Sequence, residues 1–289
     1  MRDQAFNLRA IASKNILKNV KAGRSPRVIA VTSGKGGVGK TSLVVNLSIA
    51  LTKMSQRVAI FDADLGMANV EILLGLNPSG SLYDILYGNK TINEIIFEGQ
   101  CGIRIVSGGS GIQELANLDR QGRERLIEAL SYFNDCTDFA FIDTGAGISR
   151  NVLGFVAAAE EVIVVVTPEP TSITDAYSMI KVLSTYKVHP GVGIVVNRAS
   201  NEEEALLTAS KIAAVTKRFL QIKVNHIGSV CEDRVVGQAV KDQCPFILRK
   251  PDAVASSGLQ AVARALLGVQ SQAGKGMGNF ISKLFRLYR

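Results

Sequence analysis

The sequence predicts one doubly wound α/β domain, a mostly parallel sheet flanked by helices, with a helical appendage at each end. Three observations predict it. Short β-branched runs alternate with longer helical segments through the middle of the chain. Most of these runs are apolar throughout, as strands buried on both faces must be. The 289 residues are 47% hydrophobic, enough to bury a large core in one such domain.

In chain order, residues 1–22 read as a helix closed by the breaker Gly23–Pro26. Val28–Val31 is an apolar strand, followed across a glycine-rich turn by the helical pattern Ser42–Lys53. Val58–Phe61 and Ile103–Val106 are the next strands. Arg120–Phe133 has helical spacing and leads into the strand Phe139–Ile142. Val162–Val166 precedes the helix Ser172–Tyr186, Val192–Val196 precedes Glu203–Phe219, and Val224–Ile227 precedes Ala255–Leu267. Residues 268–278 (GVQSQAGKGMG) are glycine-rich and read as a flexible tether, beyond which 279–289 resumes as a short amphipathic segment. The division is therefore 1–27, a domain over 28–267, a tether over 268–278 and a terminal helix over 279–289. There is no internal repeat.

Charge and cysteine usage narrow the function classes. The net charge is +8, but it sits at the ends. Residues 1–27 hold seven basic side chains against Asp3, and residues 270–289 hold four with no acid, leaving the body near −2. Two basic ends on a neutral body favour contacts with acidic partners or lipid, and no specific nucleic acid is expected. Cys101, Cys136, Cys231 and Cys244 are scattered without a CxxC pair, which fits free thiols in a reducing compartment and gives no support for a zinc site. No apolar run reaches the ~18 residues of a spanning helix, and the start lacks the pattern of a secretory signal. The expected location is cytoplasmic.

The strongest motif is Gly34-Lys35-Gly36-Gly37-Val38-Gly39-Lys40-Thr41, with Ser42 after it. It matches GxxxxGK[ST] between an apolar strand and a helix, the context the motif requires. Its glycines let backbone N–H groups face phosphate oxygens at a helix N-terminus. Lys40 is expected on the β- and γ-phosphates of ATP and the Thr41 hydroxyl on Mg²⁺.

The early lysine makes GKGGVGKT resemble the deviant P-loop of the MinD/ParA ATPases. In that family this lysine reaches across a nucleotide-sandwich dimer. Carried onto Lys35, the resemblance implies an ATP-dependent homodimer and a catalytic contribution in trans, like an arginine finger. Asp62 and Asp64, two apart at a strand end, point the same way. By the resemblance Asp64 orients the attacking water and Asp62 lies near Mg²⁺. Asp143, ending an apolar strand, fits a Walker B carboxylate on Mg²⁺, with Gly147 near the γ-phosphate. Asn197 and Arg198 resemble the family's base-binding Asn-Arg, at the strand end where nucleotides dock in open sheets. The chain departs from the family at Gly228-Ser229-Val230-Cys231-Glu232-Asp233, where Cys231 stands for the usual proline. The mechanism implied is positioning plus electrostatics, with slow intrinsic turnover because no strong general base is present.

Both ends extend the resemblance. On a helical wheel Phe280, Ile281, Leu284, Phe285, Leu287 and Tyr288 cover roughly 160°, opposite Lys283, Arg286 and Arg289. This is similar to the C-terminal membrane-targeting helix of MinD-type proteins and suits an anionic membrane surface. The start, Asp3-Gln4-Ala5-Phe6-Asn7-Leu8-Arg9, resembles the DQAxxLR element of the FlhG/FleN flagellar-number regulators. There the element activates a flagellar GTPase of the signal-recognition-particle (SRP) type. Residues Asp3, Gln4, Ala5, Leu8 and Arg9 carry that match. The resemblance implies a regulator of flagellar number or placement, peripheral at the inner face of the membrane. Switch-complex proteins or a flagellar transcription regulator are further partners it allows. A division-site MinD, a ParA-like DNA-positioning ATPase and an iron–sulfur carrier or reductase ATPase, which the missing CxxC disfavours, are the alternatives. The first normally lacks the DQA-bearing extension, and the second needs a basic face that the body does not offer.

Overall fold

A computed structural model describes residues 25–64, 69–109, 115, 118–269 and 274–287. The expected partner-activating residues Asp3, Gln4, Ala5, Leu8 and Arg9, and Tyr288 of the terminal helix, lie outside them. Among the described residues, eight strands form one sheet: β1 (Arg27–Ser33), β2 (Val58–Ala63), β3 (Ile96–Glu98), β4 (Arg104–Ser107), β5 (Phe139–Ala146), β6 (Glu161–Val166), β7 (Gly191–Ala199) and β8 (Lys223–Cys231). Their order is β3-β4-β2-β5-β1-β6-β7-β8. All neighbours run parallel except β3, which closes one edge antiparallel to β4.

The central strands serve two cores at once. In β1, Val28 and Ala30 face one core while Ile29 and Val31 face the other, all fully buried. The same period of two places Phe139 and Phe141 of β5 opposite Ala140 and Ile142. It is the strand geometry that the apolar runs anticipate. The helices are α1 (Lys40–Lys53), α2 (Asn69–Leu74), α3 (Leu82–Leu86), α4 (Ile92–Ile95), α5 (Arg120–Ser131), α6 (Phe133–Cys136), α7 (Arg150–Ala158), α8 (Pro170–Thr185), α9 (Glu202–Phe219), α10 (Arg234–Lys241), α11 (Phe246–Arg249), α12 (Val254–Gly268) and α13 (Gly276–Leu287). Helices α1 and α12 cover one face, and α5, α7, α8 and α9 the other. No helix among the described residues is long and apolar enough to cross a membrane.

From β1 the chain steps over β5 to β2, and from β5 it steps over β1 to β6. The carboxyl ends of these strands therefore open on one crevice, the switch point at which open sheets bind ligands.

The C-terminal segment departs from expectation. Residues 274–278 are not a free tether, and α13 is not a free appendage. The helix begins at Gly276 and packs against α5, α6, α7 and β1. Met277, Phe280, Ile281, Leu284 and Phe285 are buried, with Phe280 stacked on Phe155 at 6.4 Å. The physical reason lies in the glycines, which permit close approach rather than slack. Gly274 bridges Ser25, and a Cβ there would lie 2.3 Å from the Pro26 carbonyl oxygen. Gly276 has φ +79, and its Cβ would lie 2.4 Å from Asn134 Oδ1. That amide oxygen accepts the Met277 N–H (2.8 Å), while Glu160 accepts the N–H groups of Lys275 and Gly276. The membrane-facing set expected at Phe280, Ile281, Leu284 and Phe285 is thus folded into the protein's own core.

Candidate nucleotide-binding site

The turn between β1 and α1 forms an open anion cradle. Gly39 precedes α1 with φ 85, a left-handed conformation that favours glycine. No side chain caps the helix and its first turn holds no acid, so its leading N–H groups are left to an anion. Two neighbours hold the turn in shape. A Cβ on Gly34 would lie 2.3 Å from the Asp175 backbone carbon, so only glycine lets the loop pass α8 here. Asn197 donates its side-chain N–H to the Val38 carbonyl (2.7 Å) and fills the space where a Gly39 Cβ would stand.

Strand register brings the carboxylates to this turn. Asp143 on β5 pairs laterally with Val31 of β1 and with Asp62 of β2. Lys40 Nζ lies 3.0 Å from Asp143 Oδ1, both side chains nearly inaccessible, and the Thr41 side chain also favours the ionised form of this carboxylate. Burial pushes Asp143 up, against the pull of Lys40 and Thr41. Its second oxygen, Oδ2, is buried without a hydrogen-bond partner. Asp62 accepts the N–H groups of Asp64 (3.1 Å) and Val70 (3.2 Å). Burial first, then the charge of Asp143, pushes its carboxyl up to about 7. Asp64 stands at the crevice beside Gly145, close enough to act electrostatically on Asp143.

A hard cation fits this donor set. Lys40 holds only one oxygen of Asp143 and leaves Oδ2 without a partner, Asp62 is crowded by that carboxylate, and Thr41, at the start of α1, brings a hydroxyl. Among the described residues no three carboxylate, thiol or imidazole side chains form a cage by themselves. Mg²⁺ does not need one, since it keeps several waters and takes phosphate oxygens as ligands.

The base side of the crevice is a cleft of about 800 Å³ running from Gly39, Ser42 and Leu43 to Asn197 and Arg198, with the end of β8 and α10 as its far wall. Arg198 is exposed and holds φ +58. Cys231 ends β8 in register with Ala199, and Asp233 caps α10 through the Val235 N–H at 2.9 Å, so the segment lacking the proline still closes the cleft.

Lys35 stands apart from Lys40. Its Nζ pairs with Glu169 Oε2 at 2.5 Å and donates to Thr171 Oγ1 at 3.1 Å. Gly147 (φ +83) gives its N–H to the Ser33 carbonyl, tying the end of β5 to the loop. Glu169, Thr171 and Asp175 carry no motif of their own, and the sequence reading missed them. The available signal was the segment TPEPTS after an apolar strand.

The comparisons agree with this geometry. Residues 24–267 match the ParA family model, described as an NUBPL iron-transfer P-loop NTPase. The antiactivator FleN of Pseudomonas aeruginosa is 41% identical over 82% of this chain and 85% of its own. The flagellum site-determining protein YlxH of Helicobacter pylori is 30% identical over 90% of each. Among solved structures, the septum site-determining protein MinD of Pyrococcus horikoshii, complexed with Mg-ADP, superposes with a TM-score of 0.67 at 26% identity, over 86% of this chain and 99% of its own. With these relatives and this crevice, the chain belongs to the MinD/ParA family of P-loop ATPases, on its FleN/FlhG branch, and it hydrolyses ATP with Mg²⁺.

Proposed function

We propose that this ATPase is a dimerising, membrane-associating switch that sets flagellar number or placement. The observation that carries the reading is the separation of the two P-loop lysines. Lys40 sits in its own cradle on Asp143, whereas Lys35 points to the rim and is held by Glu169. That Lys35 is one-third exposed and held only at the rim supports its leaving Glu169 for the phosphates of a second copy.

In this reading the backbone N–H groups of residues 36–42 and Lys40 bind the phosphates, and Thr41, Asp62 and Asp143 hold the metal. Mg²⁺, when bound, would offset the negative charge of the phosphates. Asp64 accepts a hydrogen bond from the attacking water and holds it in line, while Lys35 of the second copy stabilises the charge that develops. Asn197 and Arg198 border the base. ATP binding closes the dimer and hydrolysis opens it.

The relatives' names, antiactivator and flagellum site-determining protein, support the flagellar role. The basic start with Asp3, Gln4, Ala5, Leu8 and Arg9 supports an SRP-type flagellar GTPase as the partner acted on. The buried apolar face of α13 supports membrane residence once the helix leaves its seat, with two helices per dimer multiplying a weak affinity. The test is GTP hydrolysis by that flagellar GTPase with wild type or Gln4→Ala added. Stimulation by wild type that falls at least tenfold with Gln4→Ala is expected. Equal stimulation by both, or none by wild type, contradicts the partner.

A further inference from the structure

Ser33 ends β1 and is almost fully buried. Two of its polar groups are spent around the P-loop. Its hydroxyl donates to the Lys35 carbonyl at 2.9 Å, and its own carbonyl accepts the Gly147 N–H at 2.9 Å. Between Val31 and Ser33 the register with β5 slips. Val31 lies beside Asp143 but Ser33 lies beside Ala146, so two steps along β1 match three along β5. A bulge of this kind re-aims the groups next to it. Here it leaves Ser33 joined to β5 through its carbonyl and to the Lys35 peptide through its hydroxyl. The preceding hydroxyl, Thr32 Oγ1, is just as buried and has no partner.

Lys35 therefore has a fixed root and a loose tip. Gly34 stands between the two residues, and glycine leaves the backbone free to swing. The Ser33 hydroxyl removes that freedom with a local bond from side chain to backbone. At the tip, the ion pair with Glu169 is one-third exposed on the lysine side and about half exposed on the carboxylate side, and such pairs cost little to break. A side chain that crosses to another molecule binds better when its root is ordered beforehand, because less freedom is lost on contact. We propose that Ser33 is a positioning residue for Lys35. Its hydroxyl sets the direction from which the lysine enters the site of a second copy, and its carbonyl ties that direction to the end of β5. The proposal rests on the dimerising reading above and gives Ser33 a part separate from phosphate binding in its own copy.

Two measurements on the full chain separate this role from simple bracing of the loop. One is the affinity for ADP. The other is the dimer dissociation constant with a non-hydrolysable ATP analogue, read by mass photometry. Ser33→Ala should keep its ADP affinity within about twofold and raise the dimer constant about tenfold, since each dimer loses the bond twice. Ser33→Thr, which restores a hydroxyl, should recover most of the dimer. Thr32→Val, which removes the neighbouring hydroxyl, should leave both measurements at their wild-type values. Equal losses of ADP affinity and of dimer in Ser33→Ala would make the serine a brace of the P-loop and overturn the proposal. So would a Ser33→Ala dimer as stable as wild type, or a Ser33→Thr that binds ADP normally yet dimerises no better than Ser33→Ala. In these cases the dimerising reading would stand. A wild-type chain that stays monomeric with the analogue would sink that reading, and this proposal with it.

Discussion

Asp62 and Asp143 stand side by side at neighbouring strand ends, in a region with little water to screen them. Lys40 pairs with Asp143 alone, so without a metal ion this arrangement costs stability, and the sign is fixed by linkage. Asp62 has a folded-state pKa of about 7, above the value near 4 of an unfolded aspartate. The folded state therefore holds the proton more tightly, and stability falls as pH rises between those values. Above about 7 the penalty is constant. Melting curves in EDTA without nucleotide should show wild type losing ground to Asp62→Asn from pH 5 to 7 and running parallel above it. Adding Mg²⁺ and ATP should remove most of the difference in wild type. A difference independent of pH would mean that Asp62 is already ionised in the empty site. These carboxylates were legible in the sequence because each ends an apolar strand that follows the P-loop, and the resemblance to the MinD/ParA pattern marked them out. The contacts of Asn197 with Val38 and of Lys35 with Glu169 were not, since each joins residues more than a hundred positions apart.

At the scale of elements, most strands and the long helices follow from apolar period and length. The short pieces do not. β3 has three residues and α11 four, too few for a period to register, and both depend on neighbours already folded. The terminal helix shows a different limit. Amphipathicity says that one face of α13 seeks an apolar phase without saying whether that phase is lipid or the protein's own core. Glycine is equally ambiguous in sequence, since slack and close approach use the same residue. In the structure Gly276 needs both its positive φ and its missing Cβ, so Gly276→Ala should unseat α13. Hydrogen exchange is the readout. Amides of 279–287 should lose protection at least tenfold while those of β1 and β5 keep theirs, and unchanged protection would mean the seat does not depend on this glycine. Each buried Phe, Ile or Leu of the helix contributes about 1.5–3 kcal/mol of apolar burial. Part of this is offset by ordering the segment, so a lipid surface offering the same burial can compete for it.

For the whole molecule, the crevice at the switch point and the docked helix lie on one sheet and share its strands. β1 carries the P-loop at its carboxyl end, and α13 packs on that strand and on α7, which follows the Asp143 strand. A change at the phosphate site can therefore reach the helix through rigid elements already in contact. Two such crevices, face to face, would let Lys35 of each copy complete the site of the other. This exchange is tested most directly by molar mass in solution, with ADP and with ATP, for wild type and Lys35→Ala. Wild type should be a monomer with ADP and a dimer with ATP, and the variant a monomer with both. A wild-type monomer at saturating ATP, or a Lys35→Ala dimer as stable as wild type, would contradict it.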